Sequence, residues 1–350
     1  MKLILPSQIS SLARLNRVLA GKSYADARYF ILLDENSYNN CLARVISQVS
    51  TLQEAEFMEV PVGEECKDIA IATQLWETLL ESGADRNAVI VNLGGGCVSD
   101  LGGFVAAGYK RGIRYINIPT TLVGMVDASI GGKTAVNLGG SKNQVGFFHQ
   151  PEVTCVEPAF LDTLPRRELY NGLFEMLKTF IIGDPEQYER LCQMIMSGML
   201  ALGGEAIAAC AEIKSAVVKA DPEEHGTRRI LNFGHTFGHA IEAYSHEKGR
   251  KTIPHGIAVG IGMEAALYLS VKKLALPQEV LDKYRATALK LTALPHYTLQ
   301  DTEGLLGYMR QDKKNARGEI RCVLLQELGA PVIDLAVDEN EIRDALLNIG

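Results

Sequence analysis

The order of apolar runs along the chain constrains its fold more than any other feature. Short β-rich runs occur at Tyr29–Leu33, Ala88–Leu93, Tyr115–Ile118 and Val153–Val156, and each ends in Asp, Gly or Pro. Helical stretches separate several of these runs. The alternation predicts an α/β domain over residues 1–160.

The remainder of the chain has a different period. Leu169, Leu173, Leu177 and Phe180 follow one another at spacings of four, four and three residues, and later segments repeat this helical period. We therefore predict an all-α domain over residues 161–350, in which Ile320–Leu325 is the one candidate strand or hairpin arm. A chain of 350 residues is long enough to hold two such domains.

Charge and composition exclude several classes of protein. The chain carries 35 Lys and Arg against 42 Asp and Glu, so its net charge of −7 and lack of a long basic run argue against nucleic-acid and anionic-membrane partners. The N-terminal apolar run is too short for a signal peptide, and the apolar stretch Ile253–Val271 is interrupted by His255 and Glu264. The 7 cysteines form no CxxC pair, which fits a reducing compartment, and we expect a cytoplasmic protein without a membrane span.

Three loops of the first domain have the composition of a dinucleotide site. Asp34-Glu35-Asn36 follows a strand, where a carboxylate accepts hydrogen bonds from a ribose or an adenine. Gly94-Gly95-Gly96 follows the apolar run AVIVNL, and with Gly102-Gly103 it offers backbone amides and a helix N-terminus to a pyrophosphate. The spacing differs from GxGxxG, which favours a related glycine-rich scheme. Each loop also has a plain structural interpretation as a tight turn, and Thr120-Thr121 as a helix cap.

The second domain contains residues suited to a divalent metal. His235 and His239 are four residues apart, so a helix places both imidazoles on one face. His255 opens another apolar helical run, and Glu175 lies among apolar residues, where a carboxylate needs a partner. Glutamate and imidazoles without a cysteine motif suit Zn²⁺ or a similar ion with open positions for substrate oxygens.

Taken together and in order, these segments resemble the 3-dehydroquinate synthase family nearly end to end. The shared motifs are GEECK (63–67), GGGCVSD (94–100), YKRG (109–112), IPTTL (118–122), MVDASIGGKT (125–134), SKN (141–143), FEMLK (174–178), RRILNFGHTFGHAIE (228–242), HG (255–256) before a GME helix, and DKKN (312–315). The resemblance implies an N-terminal NAD-binding, Rossmann-like α/β domain and a C-terminal helical metal domain with a cleft between them. It also implies a homodimer.

The resemblance assigns roles residue by residue. It implies that the metal, Zn²⁺ or Co²⁺, is bound by Glu175, His235 and His255. The positions implied to contact NAD are Asp34, Asn36, Glu64, Lys67, Gly95, Gly96, Cys97, Asp100, Thr120, Thr121, Lys142, Phe160 and Thr163. The positions implied to contact substrate or to act in catalysis are Asp127, Lys133, Asn143, Lys178, Lys214, Arg228, Asn232, His239 and one or both of Lys313 and Lys314, with Arg111 supplied across the dimer interface. Pro222 interrupts an acidic run of the family and puts the conformation of that loop in doubt.

The activity implied by the family is that of a phosphate-eliminating carbon–oxygen lyase that depends on NAD and a metal. Its substrate, 3-deoxy-D-arabino-heptulosonate 7-phosphate, carries a carboxylate and a phosphate, so several cations must converge on it. Oxidation at C5 acidifies the C6 hydrogen, phosphate leaves by β-elimination, the hydride returns, and an intramolecular aldol step closes 3-dehydroquinate, with the metal acting as a Lewis acid. His239 and Asn232 are candidates for a proton relay.

Two other functions remain open from the sequence. A metal-dependent polyol or alcohol dehydrogenase resembles this family in its two domains, its NAD loop and its metal histidines, but it does not need the set of lysines. A sugar phosphate cyclase that acts on sedoheptulose 7-phosphate lacks the substrate carboxylate, and Lys214, Asn232 and His239 argue against it.

Overall fold

The computed structural model describes residues 1–139, 141–198, 200, 202–247, 249–311 and 319–350. It divides into two compact units, one formed by Met1–Leu169 with Gly203–Ser215 and the other by Tyr170–Leu202 with Ala216–Gly350. The division after Leu169 lies nine residues beyond the predicted end of the first domain at residue 160. The inclusion of Gly203–Ser215 in the first unit has no counterpart in the sequence prediction.

The first unit is organised around a parallel sheet. Its strands are β1 (Lys2–Ile4), β2 (Tyr29–Asp34), β3 (Glu56–Val60), β4 (Val89–Gly94), β5 (Arg114–Pro119) and β8 (Val153–Cys155), and their spatial order is β1-β8-β5-β4-β2-β3. Strands β2 and β4 are buried along their whole length, as expected for a sheet covered on both faces. The chain adds β3 on one side of β2 and then crosses back to add β4 on the other side. In open α/β sheets ligands bind beyond the carboxyl ends of the strands at such a switch point.

Helices connect these strands. They are α1 (Ser11–Leu19), α2 (Glu35–Ser37), α3 (Ala43–Gln48), α4 (Ile69–Glu81) and α5 (Gly96–Gly108), together with the short helical segments Lys22–Tyr24, Tyr38–Leu42, Ser50–Leu52, Gly63–Cys66, Tyr109–Arg111, Gly124–Ala128 and Pro158–Thr163. A separate antiparallel hairpin, β6 (Lys133–Leu138) and β7 (Ser141–Phe148), contacts α5. The sequence analysis did not predict this hairpin, β1 or β3.

Helix α5 shows why one pair of glycines is required. A Cβ on Gly102 would lie 1.7 Å from Oδ1 of Asn92 on β4, and a Cβ on Gly103 would lie 2.5 Å from Cγ2 of Thr134 on β6. Both glycines therefore let α5 pack closely against its neighbours. The prediction that Gly102-Gly103 offers amides to a pyrophosphate is wrong, since these residues are buried inside the helix rather than at its N-terminus.

The second unit is helical with one hairpin. It contains the greater part of α6 (Arg166–Gly183), then α7 (Pro185–Ser197), the end of α8 (Gly204–Ala220), a 3-10 segment at Thr227–Asn232, α9 (His235–Ser245), α10 (His255–Leu274), α11 (Gln278–Leu291), α12 (Leu299–Gln311) and α13 (Glu339–Leu347). Strands β9 (Ile320–Glu327) and β10 (Ala330–Val337) pair antiparallel. The all-α prediction is thus corrected to a helical unit with one hairpin, whose first arm coincides with the candidate strand at Ile320.

The structure also places the cysteines and the apolar segments. All 7 cysteines are free, and every one except Cys97 is buried. Within the described ranges, no helix is both long enough and apolar enough to cross a membrane.

Candidate active site

The predicted metal residues of the second unit lie together. The ligating atoms of His235, His239 and His255 are all within 4.8 Å of one another. Helix α9 carries the first two imidazoles one turn apart, and the third lies at the first residue of α10, the helix that packs against α9. The ring centroid of His239, which the resemblance places outside the ligand set, lies 5.3 Å from that of His235 and 5.7 Å from that of His255, and the latter two centroids lie 5.5 Å apart. The set Glu175, His235 and His255 stays a prediction.

Glu175 of α6 gives the cluster its negative charge. Its side chain is fully buried, and its Oε1 lies 3.6 Å from Nε2 of His255 while its Oε2 lies 2.7 Å from the ammonium of Lys178. Oε1 accepts no hydrogen bond from any described residue. A buried carboxylate oxygen without a donor, facing imidazole nitrogens, is suited to a divalent cation. The donor set therefore fits the implied metal.

A residue that the sequence analysis missed orients His255. Glu242 lies on α9 three residues after His239, and its Oε2 is 2.8 Å from Nδ1 of His255. Imidazoles that bind metals commonly donate their second N–H to a carboxylate, which fixes the tautomer and the ring orientation. The signal that could have identified Glu242 is its position three residues after His239, because a helix places residues with this spacing on one face.

Several of the predicted NAD residues of the first unit lie at or just after the carboxyl ends of β2, β4 and β5. Asp34 ends β2, and its Oδ1 accepts the Ser37 N–H at 2.8 Å, so this carboxylate also caps α2. Gly95 precedes the first residue of α5, where backbone amides are available to an anion. A Cβ on Gly95 would lie 3.1 Å from Cγ2 of Thr121, so the glycine leaves room for a close approach to the backbone.

Six other residues of the predicted NAD set either make local structural contacts or are exposed. Thr120 donates its N–H to the Gly94 carbonyl at 3.0 Å, which ties the ends of β4 and β5 together. Thr121 accepts the Gly124 N–H at 3.1 Å, so the helix-cap interpretation holds for it. Phe160 is buried and Thr163 bonds back to its carbonyl, whereas Asn36 and Lys142 are exposed.

Lys67 is the most buried charge of this part of the first unit. Its ammonium lies 2.6 Å from Oδ2 of Asp100 and 2.5 Å from Oδ1 of Asn143. Burial acts to lower the pKa of Lys67, but the carboxylates of Asp100 and Glu64 outweigh burial and raise that pKa above its ordinary value. Lys67 therefore stays charged at neutral pH.

The acidic and thiol groups around Lys67 respond to the same surroundings. Burial raises the pKa of Asp100 in spite of the ammonium beside it. For Glu64 burial acts in the same direction, but Lys67 and the Asn137 amide outweigh it and the pKa falls. The Cys97 thiol lies 3.4 Å from Oε2 of Glu64, and burial raises its pKa well above the ordinary value, so it is a neutral thiol here.

Five of the predicted substrate residues belong to the first unit. Lys214 of α8 is buried and donates to both the backbone carbonyl and Oδ1 of Asp127, each at 2.7 Å. Lys133 is exposed at the start of β6, and Asn143 of β7 has a φ of +53°, a left-handed conformation that is uncommon outside glycine. Arg111 is exposed and has a φ of +66°.

The second unit holds four more. Lys178 pairs with Glu175, and His239 belongs to the imidazole cluster. Arg228 is buried, and its Nη1 donates to the Pro222 carbonyl at 2.5 Å, so the proline occupies a defined place in this loop. Asn232 donates to Oε1 of Glu224 at 2.7 Å, which identifies Glu224 as a further polar residue that the sequence analysis did not single out. Lys313 and Lys314 lie outside the described residues.

The chain matches two family models that follow each other without a gap. Residues 57–171 match the 3-dehydroquinate synthase N-terminal model, and residues 172–315 match the 3-dehydroquinate synthase C-terminal model. The chain belongs to the 3-dehydroquinate synthase family. The resemblance read from the sequence motifs is confirmed.

Relatives of this family cover nearly the whole chain. The 3-dehydroquinate synthase of Parabacteroides distasonis is 37% identical over 324 residues, which are 91% of this chain and 90% of that protein. The 3-dehydroquinate synthase of Halalkalibacterium halodurans is 41% identical over 326 residues, which are 91% of this chain and 88% of that protein.

Solved structures support the fold. The 2-epi-5-epi-valiolone synthase of Streptomyces hygroscopicus subsp. jinggangensis, solved with NAD⁺ and Zn²⁺, is 28% identical with a TM-score of 0.79 and covers 95% of this chain and 94% of that chain. A protein of Sinorhizobium meliloti described as a probable glycerol dehydrogenase shares the fold at 15% identity with a TM-score of 0.59, over 99% of this chain and 95% of that chain. The dehydrogenases considered as an alternative therefore share the architecture but lie at much lower identity than the 3-dehydroquinate synthase family.

Proposed function

We propose that this chain is a 3-dehydroquinate synthase that converts 3-deoxy-D-arabino-heptulosonate 7-phosphate to 3-dehydroquinate and phosphate. The observation that carries the proposal is the imidazole cluster with the buried Glu175, in a chain that two consecutive family models cover from residue 57 to residue 315. Relatives that share 37–41% of their residues support the same activity.

The cofactors are NAD and a divalent metal. When bound, NAD would accept a hydride from the substrate and return it, and the ion would act as a Lewis acid toward substrate oxygens. Glu175, His235 and His255 would hold the ion, and Glu242 would keep His255 in the correct orientation. Asp34 and the N-terminus of α5 would bind the ribose and the pyrophosphate of NAD, and Glu64 would also contact NAD. Lys67 would hold Asp100 and Asn143 in place beside them.

The substrate phosphate is assigned to residues of the first unit. Lys133 and Asn143 lie on the hairpin β6–β7, and Arg111 would reach the phosphate from the second subunit of a homodimer. Together these residues offer two cations and an amide donor, a combination suited to a phosphate dianion. Because phosphate itself is a base near neutral pH, it would accept the C6 proton as it leaves, and the chain needs positioning groups there more than a dedicated base.

The carboxylate end of the substrate is assigned to Lys214, Arg228 and one or both of Lys313 and Lys314. Arg228 is buried, so its guanidinium offers a carboxylate a charge with little screening by water. The Lys214 ammonium pairs with the Asp127 carboxylate and holds it in one rotamer. Lys178 would contact the substrate from beside the metal residues.

Proton movement at the ring oxygen is assigned to His239 and Asn232. The Asn232 amide is held by Glu224, which leaves the amide oxygen directed away from that carboxylate. His239 adjoins the metal imidazoles, and one of its ring nitrogens would carry the proton released when the ring opens. The enzyme is expected to act as a homodimer in the cytoplasm.

The deciding experiment combines the purified chain, NAD⁺, Zn²⁺ and the heptulosonate phosphate. We expect one phosphate and one 3-dehydroquinate per turnover with no net accumulation of NADH. Net NADH from a simple polyol without phosphate release would favour a dehydrogenase. Turnover of sedoheptulose 7-phosphate in preference to the carboxylated substrate would favour the other cyclase.

A further inference from the structure

Asn137, near the end of β6, contacts two segments to which the proposed function assigns different ligands. Its amide nitrogen donates to Oε1 of Glu64 at 2.9 Å, and its Oδ1 accepts the backbone N–H of Asn143 at 2.9 Å. Its own N–H donates to the Lys67 carbonyl at 2.7 Å. A single half-buried side chain thus joins the segment 63–67 to the start of β7.

The nitrogen and the oxygen of the Asn137 amide form different hydrogen bonds. The donor end can satisfy only an acceptor such as the Glu64 carboxylate, and the acceptor end can satisfy only a donor such as the Asn143 N–H. Asn143 adopts a φ of +53°, which costs a non-glycine residue free energy unless its surroundings hold it there. The bond from its N–H to Asn137, together with the bond from Lys67 to its side chain, provides that support.

We propose that Asn137 is a positioning residue that couples the nucleotide segment 63–67 to the phosphate-binding residue Asn143 near the start of β7. The inference rests on the proposed function for the assignment of NAD to Glu64 and of phosphate to Asn143. Through its amide nitrogen Asn137 fixes the Glu64 carboxylate that faces NAD. Through its Oδ1 it fixes the backbone from which the Asn143 side chain reaches phosphate.

Two substitutions separate these roles. Asn137→Ala removes both bonds, so the dissociation constants for NAD⁺ and for inorganic phosphate should each rise about tenfold, the effect of losing one hydrogen bond to a charged or strained group. Asn137→Asp keeps an acceptor for the Asn143 N–H but turns a second carboxylate toward Glu64. It should therefore weaken NAD⁺ binding while the phosphate dissociation constant stays within about twofold of wild type.

The measurement is calorimetric titration of the full chain with NAD⁺ and, separately, with inorganic phosphate. Asn16→Ala is the matched control, because the Asn16 amide oxygen also accepts bonds from two residues, Ser50 at 3.3 Å and Thr51 at 3.1 Å, on a different part of the first unit. It should leave both constants unchanged. Thermal unfolding verifies that each variant is folded, and if Asn137→Ala does not fold, Asn137→Asp still tests both bonds.

The outcomes are distinct. Unchanged affinities in Asn137→Ala, equal losses in Asn137→Asp for both ligands, or equal losses in Asn16→Ala would overturn the inference. Binding is measured without turnover, so an inactive wild-type chain would contradict the proposed function while the two titrations still decide the role of Asn137. A wild-type chain that binds neither ligand would overturn both.

Discussion

Glu242 shows how a single side chain can orient His255, which we propose as a metal ligand. A neutral imidazole has one N–H, and the group that accepts it decides which nitrogen is left to bind a cation. With Glu242 2.8 Å from Nδ1 of His255, the N–H is drawn to Nδ1 and Nε2 is left with its lone pair, on the side that faces Glu175 at 3.6 Å. The carboxylate also makes the ring a stronger base toward a metal.

Replacing Glu242 by glutamine should therefore weaken metal binding while the fold persists. We expect the dissociation constant for Zn²⁺ to rise by about 10- to 100-fold, since loss of an outer carboxylate has this effect in other zinc sites. Competition with a colorimetric chelator measures it. Glu247→Gln, which alters a carboxylate paired with Arg250 instead, is the control and should leave the constant unchanged. Equal affinities in wild type and Glu242→Gln would contradict the role of Glu242.

At the scale of residues, the sequence could identify the charged groups but not their partners. Glu175, Lys178 and Lys214 lie in apolar helical segments, so their burial and their need for partners were foreseeable, but the identity of those partners was not. Glu224 and Asn137 carry no such mark, because their contacts depend on loops and on a hairpin whose course no periodicity describes. Glu242 lies in a helix, but its contact with His255 depends on how two helices pack.

Among the helices, α12 has a well-defined start. The Thr298 N–H donates to Oδ2 of Asp301 at 2.9 Å, and the Asp301 N–H donates back to the Thr298 hydroxyl at 3.2 Å, a reciprocal cap. The Tyr244 hydroxyl donates to the other carboxylate oxygen at 2.8 Å, which ties α12 to α9. Hydrogen bonds from Thr298, and then from Tyr244 and Arg250, hold the pKa of Asp301 well below its ordinary value of 3.8.

This depressed pKa gives a pH-dependent contribution to stability. Because the folded state holds the proton less tightly than the unfolded state, the contribution is complete above 3.8 and is lost as the pH falls toward the folded value. Asp301→Asn should lower the free energy of unfolding by about 1 kcal/mol at pH 7, and the difference from wild type should narrow below pH 4.

Urea unfolding between pH 7 and pH 3 measures this difference. Asp282→Asn, which alters an exposed aspartate of α11, should show little effect at any pH. A difference between wild type and Asp301→Asn that is constant over the whole range would contradict the role of the Asp301 charge.

Elements were predictable where one period persists. Strands β2, β4, β5 and β8 and the helices of the second unit follow their apolar patterns. The hairpin β6–β7 does not, because Thr134 is buried while Phe147 and Phe148 are exposed, and the hairpin packs on α5. The assignment of Gly203–Ser215 to the first unit likewise depends on tertiary contacts, such as those of Lys214 with Asp127.

At the scale of the whole molecule, the exposure of Arg111 bears on the number of subunits that contribute to one site. Arg111 is exposed, and its φ of +66° holds it on a turn at the end of α5. A strained, exposed arginine with a substrate role is understandable if it serves a second subunit. In a twofold dimer each site would then contain one Arg111 from its neighbour.

Mixing two inactive variants tests this arrangement. Arg111→Ala and Lys133→Ala should each be nearly inactive at substrate concentrations that suffice for wild type. After the subunits are exchanged, half of the dimers are mixed, and each mixed dimer has one intact site, so activity should recover to about a quarter of wild type. Light scattering confirms the dimer. Failure to recover activity, with subunit exchange verified, would place Arg111 in its own subunit's site.

The pairing of Lys178 with Glu175 bears on whether the chain needs a metal ion in order to fold. The lysine supplies a positive charge inside the second unit at the place where the ion would otherwise be needed to balance a buried carboxylate. We therefore expect the chain to fold without the ion and to bind it afterwards, because the Lys178 ammonium already neutralises the Glu175 carboxylate.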